Sequence, residues 1–552
     1  MSDVRRAPRV ERPVDAGYTW RATRTRSRVV GGVMGLVASA ESSGNGRTRA
    51  GVVVSYAPAT GEVLGEVPIR SAAEVRDAVE RARRAQQAWA ALSFEERRGQ
   101  LLRWRDALVE RAEALVDLLV RECGKPRVEA LVHEVLASVN HLDWVATRAA
   151  RILAPREIEM ALLKHRRAYV HYAPRGVVGV ITPWNFPMFM PMRDVGSALA
   201  AGNAAVLKPS EVTPLIALEL KSVYDEAGLP PDLFQVVTGD GSTGAALIDA
   251  KPDMIVFTGA VATGRRVAAA CGERLIPCTM ELGGKAPAIV CADADVERAA
   301  RAIVTGGFAN CGQVCVSVER VFAHEAVHDR LLERLRALTA ALRQGDPASP
   351  DTDVGAIIFP RQIAVAEELV ADAIAHGARL ETGGKRRPGP GQFYEPTLLS
   401  GCQPDMRVMR EEIFGPVVPV MKVRDEEEAV RLANDSELGL MAYVFTKDRE
   451  RGRRLAERVR AGVVMVNDVL SDAAVPETPF GGVRNSGFGR VGGEEGLREM
   501  CEVRVVSYDR IALGVREPTW FPYGEKTYRL ARGALRLLFR RRSPVRRLLE
   551  LF

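Results

Sequence analysis

Long apolar runs are missing from this 552-residue sequence. None approaches the 18 or more uninterrupted apolar residues that a membrane-spanning helix needs, which argues against a spanning α-helical protein. Cysteine is scarce: eight thiols at irregular spacing do not make the dense framework of a small secreted scaffold, and free thiols in a reducing compartment are expected. No short repeat is visible. With 47% hydrophobic and 27% charged residues, disorder is not the default state. The length exceeds what one hydrophobic core organises, so two or three domains are expected.

The formal charge of +7 is unevenly placed. Residues 1–50 hold ten Arg against four acids, and residues 511–552 hold ten Lys and Arg against three, which leaves the middle with 57 basic and 63 acidic residues. The basic character belongs to the tails, which argues against nucleic acid as a partner of the body. Residues 1–50 read as a flexible extension. Their one apolar run, Val29 to Ala40, follows several Arg and ends in Ala-Ser-Ala like a secretory signal, but begins too late for one; Met34 is an alternative start.

From Ser71 the spacing of Val75, Ala78, Val79 and Ala82 predicts a helix, and similar spacing continues through Leu101, Leu108, Leu115 and Leu119. Tyr169 to Tyr172 and Val177 to Ile181 read as strands around Pro174 and Gly176. Strands and helices then alternate: Ala204 to Lys208, Pro214 to Ala227, Phe234 to Thr238, a helix near Ala245, Met254 to Thr258, and a helix from Thr263. A second alternating region runs from Ala286 to about Arg460. Such βαβ alternation implies parallel sheets covered by helices, and an α/β fold class.

Several segments carry chemistry. In FANCGQVCVSVER, Cys315 follows Gly312 and Gln313 between an apparent helix and a strand-like stretch; its thiolate would attack a carbonyl if neighbours lower its pKa, although a buried structural Cys is the commoner case. In TPWNFP, Asn185 stands among rigid neighbours, and its amide suits donation to an oxyanion. In MELGGK, Glu281 lies in an apolar stretch where burial raises a carboxyl toward general-base range. Glu412 and Phe414 stand in EEIFGPV. FTGAVATG offers Gly259 and Gly264 at a strand-to-helix turn, and a literal G-x-G-x-x-G occurs at Gly239, Gly241 and Gly244, where a plain turn is an equal reading.

Taken together and in this order, the segments resemble the signatures of the aldehyde dehydrogenase superfamily from about residue 51 to 509, with succinic-semialdehyde dehydrogenases among the relatives in view. The resemblance implies a Rossmann-type NAD-binding domain (51–158 and 177–283), an α/β catalytic domain (284–480), a small β oligomerisation element (159–176 and 495–510), and a basic amphipathic extension (511–552). It implies Cys315 as nucleophile toward an aldehyde, Asn185 as oxyanion donor and Glu281 as the base that activates water for thioester hydrolysis. It places Gly259 to Gly264 at the phosphates, with Ala260 where Ser is usual, Lys208 and Glu211 on the adenosine ribose, and Glu412 and Phe414 at the nicotinamide end. Ile181, Trp184, Gly241 and Leu282 complete the implied cofactor site.

A carboxylate at Glu211 favours NAD over NADP. Phe189, Met190, Arg193, Val314, Val316 and Phe480 are the implied substrate pocket, mostly apolar, with Arg193 keeping an acidic substrate open. PFGGVRNSGFGR resembles the family's C-terminal signature, with Arg484 where Lys is frequent and Val491 where a Glu often follows. A homodimer or homotetramer in the cytoplasm is implied. Two alternatives stay open: a CoA-acylating enzyme, against which Glu281 argues, and a non-catalytic scaffold.

HEAVH, His324 to His328, matches a zinc-protease pattern, but the helix is expected to begin near His328, and surface histidines are the preferred reading. Cys311 is expected to pack beneath the Cys315 loop, and Cys123, Cys271, Cys278, Cys291, Cys402 and Cys501 to be structural; no metal is expected. Arg529, Arg532, Arg536 and Arg540 recur opposite Tyr528, Ala531, Leu535 and Leu538, a basic amphipathic helix that breaks at Pro544 and resumes as VRRLLELF. Packing on protein and contact with an anionic membrane through 526–552 are both open.

Overall fold

The computed structural model describes residues 48–49, 51–511, 517 and 520–539. The run Val29 to Ala40, Met34, Arg540 and the segment around Pro544 lie outside the described residues.

Helices Ala72–Ala91, Phe94–Glu110 and Ala112–Cys123 follow the predicted periodicity. Ser71 with Glu74, and Ser93 with Glu96, form reciprocal capping boxes that satisfy the first free N–H groups of two of them. Val75, Ala78, Val79, Ala82, Leu101, Leu108, Leu115 and Leu119 are all buried. The hydrophobic face thus drives these helices into the core more than propensity does.

Three sheets organise the rest. The first runs Gly487–Phe488, Cys278–Glu281, Met254–Thr258, Val177–Ile181, Ala204–Lys208, Phe234–Val236, all parallel except the first strand. The second runs Arg379–Thr382, Thr397–Ser400, Val417–Val423, Val318–His324, Ala286–Val290, Met441–Phe445, Val463–Val466, parallel except at Arg379–Thr382. Three of the first sheet's strands, and three of the second's, are buried along their whole length, the pattern of parallel strands covered on both faces. In the third, Cys501–Asp509 pairs antiparallel with Arg166–Pro174 over nine residues, and Arg156–Ile158 flanks it.

The sheets correct several expectations. Arg156–Ile158 belongs with the small sheet, not with the first unit, because its partner is Val170 to Ala168. Gly487–Phe488 returns from beyond residue 480 to edge that same sheet. The helix expected from Thr263 starts at Val261, and the one expected near His328 starts at Glu325.

Candidate active site

The first sheet places four predicted residues at the carboxyl ends of its parallel strands. Ile181, Lys208 and Glu281 terminate theirs, and Thr258 leads directly into Gly259. Strand order reverses at Val177–Ile181, with Ala204–Lys208 on one side and Met254–Thr258 on the other. A crevice outside such a switch point is where open α/β sheets take ligands.

The residues there fit a dinucleotide. Helix Val261–Glu273 has Ala260 as its N-cap, which makes no side-chain hydrogen bond, so its leading N–H groups stay available to an anion. The buried hydroxyls of Thr182 and Thr258 lack hydrogen-bond partners. Lys208 Nζ lies 3.3 Å from a carboxylate oxygen of the half-buried Glu211. Gly264 is needed for packing, since a Cβ there would overlap the Leu282 side chain. Gly241 is exposed at the start of helix Gly241–Asp249, with open space around it.

The turn after Glu281 gathers the chemistry. Gly284 lies where any Cβ would run into the Cys315 carbonyl, and Gly283 where it would run into the Glu412 carboxyl. The Gly284 N–H donates to Glu412 Oε1 at 2.9 Å. Cys315 does not end a helix, as its sequence suggested. Helix Val296–Phe308 stops earlier, and a turn with left-handed Asn310, Cys311 and Gly312 carries the chain to a loop before strand Val318–His324. Two consecutive non-glycine residues with positive φ are costly and persist only when their surroundings hold them.

That holding is visible. The Asn310 N–H donates to Glu129, its side-chain amide donates to the Asn185 and Gln313 carbonyls, and the Gln313 amide donates back to the Asn310 carbonyl. The Cys311 thiol is buried and points at the Gly355 carbonyl, beneath the loop as expected.

Asn185 is buried, and its side-chain Nδ2 donates to the Gln313 carbonyl at 3.0 Å. One amide hydrogen thus orients the group, leaving the other for a ligand.

Electrostatics links the set. The Glu281 carboxyl is fully enclosed, neither oxygen has a hydrogen-bond partner, and burial pushes its pKa well above the ordinary carboxyl range; Asp194 pushes the same way while Arg193 and Arg490 oppose. Cys315 keeps part of its surface open, yet desolvation, with Glu281 and Glu412 nearby, pushes its thiol up to about 12 against the pull of Arg193. Burial and the adjacent Glu319 raise Glu412 to about 8.

The pocket residues Phe189, Met190, Val314, Val316 and Phe480 are all buried. Arg193 is buried too, but its Nε donates to Asp194 at 2.9 Å. Its charge is already paired within the pocket. Val491 is buried and exchanges backbone hydrogen bonds with Phe480. Trp184 meets Phe414 edge-on at 5.4 Å. His324 and His328 do not converge: His324 Nδ1 accepts from the Ala326 N–H as a helix cap, and His328 faces Asp329.

Two buried ion pairs escaped sequence reading. Lys125 Nζ lies 2.5 Å from Glu134 and donates to the Asn185 carbonyl at 2.9 Å, while Glu134 accepts the N–H groups of Met188 and Phe189. Glu134 comes from the π-helical segment Ala130–Leu136. Likewise Lys285 pairs with Glu319 at 2.8 Å, and Glu319 accepts from the N–H groups of Ile413 and Phe414. Each clasp grips the backbone of a motif loop. Nothing in the spacing of these residues marks them, since their partners meet only in the fold. Lys125→Met is expected to lower kcat by about 10–100-fold through misplacement of Asn185. KM should change little, and urea unfolding should show about 3–5 kcal/mol of lost stability.

Free helix N–H groups and unpartnered threonine hydroxyls at the strand ends, with an enclosed carboxyl and a partly open thiol, are the parts of an oxidoreductase that oxidises aldehydes with a nicotinamide cofactor. Residues 45–506 match the model of the aldehyde dehydrogenase family, and the chain belongs to it. It is 38% identical over 501 residues to 4,4'-diapolycopene aldehyde oxidase of Methylomonas sp, covering 90% of this chain and 93% of that one. It is 37% identical to glutarate-semialdehyde dehydrogenase of Pseudomonas aeruginosa, over 81% of this chain and 92% of the relative. The structure of an NAD-dependent aldehyde dehydrogenase from Sinorhizobium meliloti superposes with a TM-score of 0.81 at 36% identity, covering 85% of this chain and 93% of that chain.

Proposed function

We propose that the enzyme uses NAD to oxidise an apolar aldehyde to its carboxylic acid, with Cys315 as nucleophile and Glu281 as hydrolytic base. The observation that carries this reading is the Glu281 carboxyl, enclosed without a hydrogen-bond partner and electrostatically coupled to Cys315. An orphaned buried carboxyl costs stability and points to a working group. The Cys315 thiol gives up its proton to solvent as its sulfur attacks the aldehyde carbon, and the free amide hydrogen of Asn185 holds the oxyanion of the thiohemiacetal. A nicotinamide held at the strand ends would supply the hydride acceptor that turns this adduct into a thioester. Glu281 then takes a proton from water, which attacks the thioester and releases the acid. Asn185→Ala is expected to lower kcat about 10²–10³-fold.

NAD is favoured because the Glu211 carboxylate beside Lys208 would hydrogen-bond a ribose 2′-OH and repel a 2′-phosphate. The apolar substrate is supported by the neutralised Arg193 and the apolar pocket, and by the relative that acts on diapolycopene aldehyde. A semialdehyde is the second reading, favoured by the name of the Pseudomonas aeruginosa relative. Initial rates of NADH formation with decanal and with succinic and glutaric semialdehydes separate them; a higher kcat/KM for either semialdehyde overturns the apolar assignment.

Homo-oligomers are inferred from the third sheet. Its strand Cys501–Asp509 lies at an open edge, with Val503, Val505, Val506 and Tyr508 exposed, a surface that soluble proteins cover. Free cysteines among the described residues suit a reducing, cytoplasmic setting.

A further inference from the structure

We propose that helix Glu525–Phe539 and the aromatic segment before it dock this enzyme on an anionic lipid surface. The helix has 15 residues, and no residue of it is buried. Lys526, Arg529, Arg532 and Arg536 supply four cations against the single acid Glu525, which pairs with Arg529 at 2.9 Å. At 100° per residue, Arg529, Arg532 and Arg536 share one side with Glu525. Leu530, Ala534, Leu535, Leu537 and Leu538 spread over the opposite arc, and Phe539 lies beside Arg532 at its edge. Leu530 is 63% exposed, Leu535 61% and Phe539 54%.

Immediately upstream, Trp520, Phe521 and Tyr523 are exposed as well, with Phe521 reaching 77%. Aromatic rings of this kind favour the headgroup level of a bilayer. The helix is too short and too charged to span: among the described residues no helix is long and apolar enough to cross a membrane. A wide apolar arc flanked by arginines instead lies in the interface plane.

Charge complementarity selects lipid over protein as the covering partner. A second copy of this helix seated on the apolar arc would leave the cations of both copies without counter-charges. The sequence adds Arg540, Arg541, Arg542, Arg546 and Arg547 directly after the helix. Anionic headgroups neutralise all of them at once, each cation strengthening binding by about fivefold. The body of the chain carries a slight acidic excess, so the attraction is local to this segment.

The alignment with the diapolycopene aldehyde oxidase extends over 501 residues, against 449 for the glutarate-semialdehyde dehydrogenase. Docking would bring the active site to where apolar aldehydes partition. That last link rests on the proposed substrate class; the docking itself does not.

The test is co-sedimentation of the full chain with vesicles, without substrate. Phosphatidylcholine vesicles are compared with phosphatidylcholine containing 30 mol% phosphatidylglycerol, a composition chosen as roughly that of an acidic leaflet. Binding is expected only with the anionic vesicles, falling as salt rises. The triple variant Arg529→Gln, Arg532→Gln, Arg536→Gln should bind about 10²-fold more weakly. Leu530→Glu with Leu535→Glu should abolish sedimentation while turnover of propanal is unchanged, which shows the fold intact. Equal sedimentation of wild type and both variants, or none by the wild type, overturns the proposal. So does a wild-type oligomer that the Leu530→Glu, Leu535→Glu variant loses by light scattering, because the face would then seat a second copy. Vesicle binding with no turnover of decanal would refute the substrate reading and leave the docking standing.

Discussion

Cys315→Ala is expected to reduce NADH formation to background with every aldehyde, a loss of at least about 10⁴-fold, while cofactor binding followed by protein fluorescence quenching survives. No other thiol is placed to substitute. Cys311 is buried under the loop with its sulfur at the Gly355 carbonyl, and burial has pushed its thiol above the ordinary range. The Cys315 thiol itself is raised to about 12, so in the free enzyme it is protonated at neutral pH. The thiolate fraction therefore grows as pH rises toward that value. Alkylation of the free enzyme by iodoacetamide should speed up about tenfold per pH unit from 7 to 9, without a plateau, and this pH-dependent labelling should vanish in Cys315→Ala. A plateau below pH 8 would mean that Arg193 outweighs burial and the two carboxyls.

Glu281→Gln is expected to separate the two halves of the reaction. Oxidation needs the sulfur and the amide, whereas hydrolysis needs a base, so a rapid-quench or stopped-flow trace should show about one NADH per active site followed by turnover reduced about 10²–10⁴-fold. Mass spectrometry should then find the acyl group on the Cys315 peptide. Full steady-state turnover would remove Glu281 as the base, and a missing burst would place it before hydride transfer. The variant should also fold more stably than wild type. The wild-type carboxyl has no hydrogen-bond partner and a raised pKa, so its ionised form is disfavoured in the folded state. Stability is lost as pH climbs above the unfolded carboxyl value near 4.3, because the unfolded chain then ionises more readily than the folded one. The glutamine cannot ionise, and that penalty disappears.

The sequence shows why these residues could be found and others could not. Cys315, Asn185 and Glu281 stand in compact motifs whose glycines and prolines are legible as turns. The structure explains the glycines: Gly283 and Gly284 make room for Glu412 and for the Cys315 carbonyl. Parallel strands from Val177 to Thr258 were legible because runs such as Ala204 to Leu207 are apolar and separated by helical periodicity. For Arg193 the sequence shows a charge but not its partner, which in the fold is the adjacent Asp194. The Lys125–Glu134 and Lys285–Glu319 clasps were invisible, since their members are polar residues buried only by contacts distant in sequence. The exact start of helix Glu325–Ala340 was missed because His324 caps it with a ring nitrogen, an uncommon cap.

The chamber around Glu281 is finished by the tail end of the enzyme's body. Gly481 presses close to the carboxyl, and Gly487 seats against the Met280 carbonyl as Gly487–Phe488 edges the first sheet. A nascent chain emerging from a ribosome can therefore assemble most of that sheet early, yet it leaves the Glu281 carboxyl open to water until nearly five hundred residues have been made. The desolvation that raises this carboxyl is thus acquired only when the last strand of the sheet arrives.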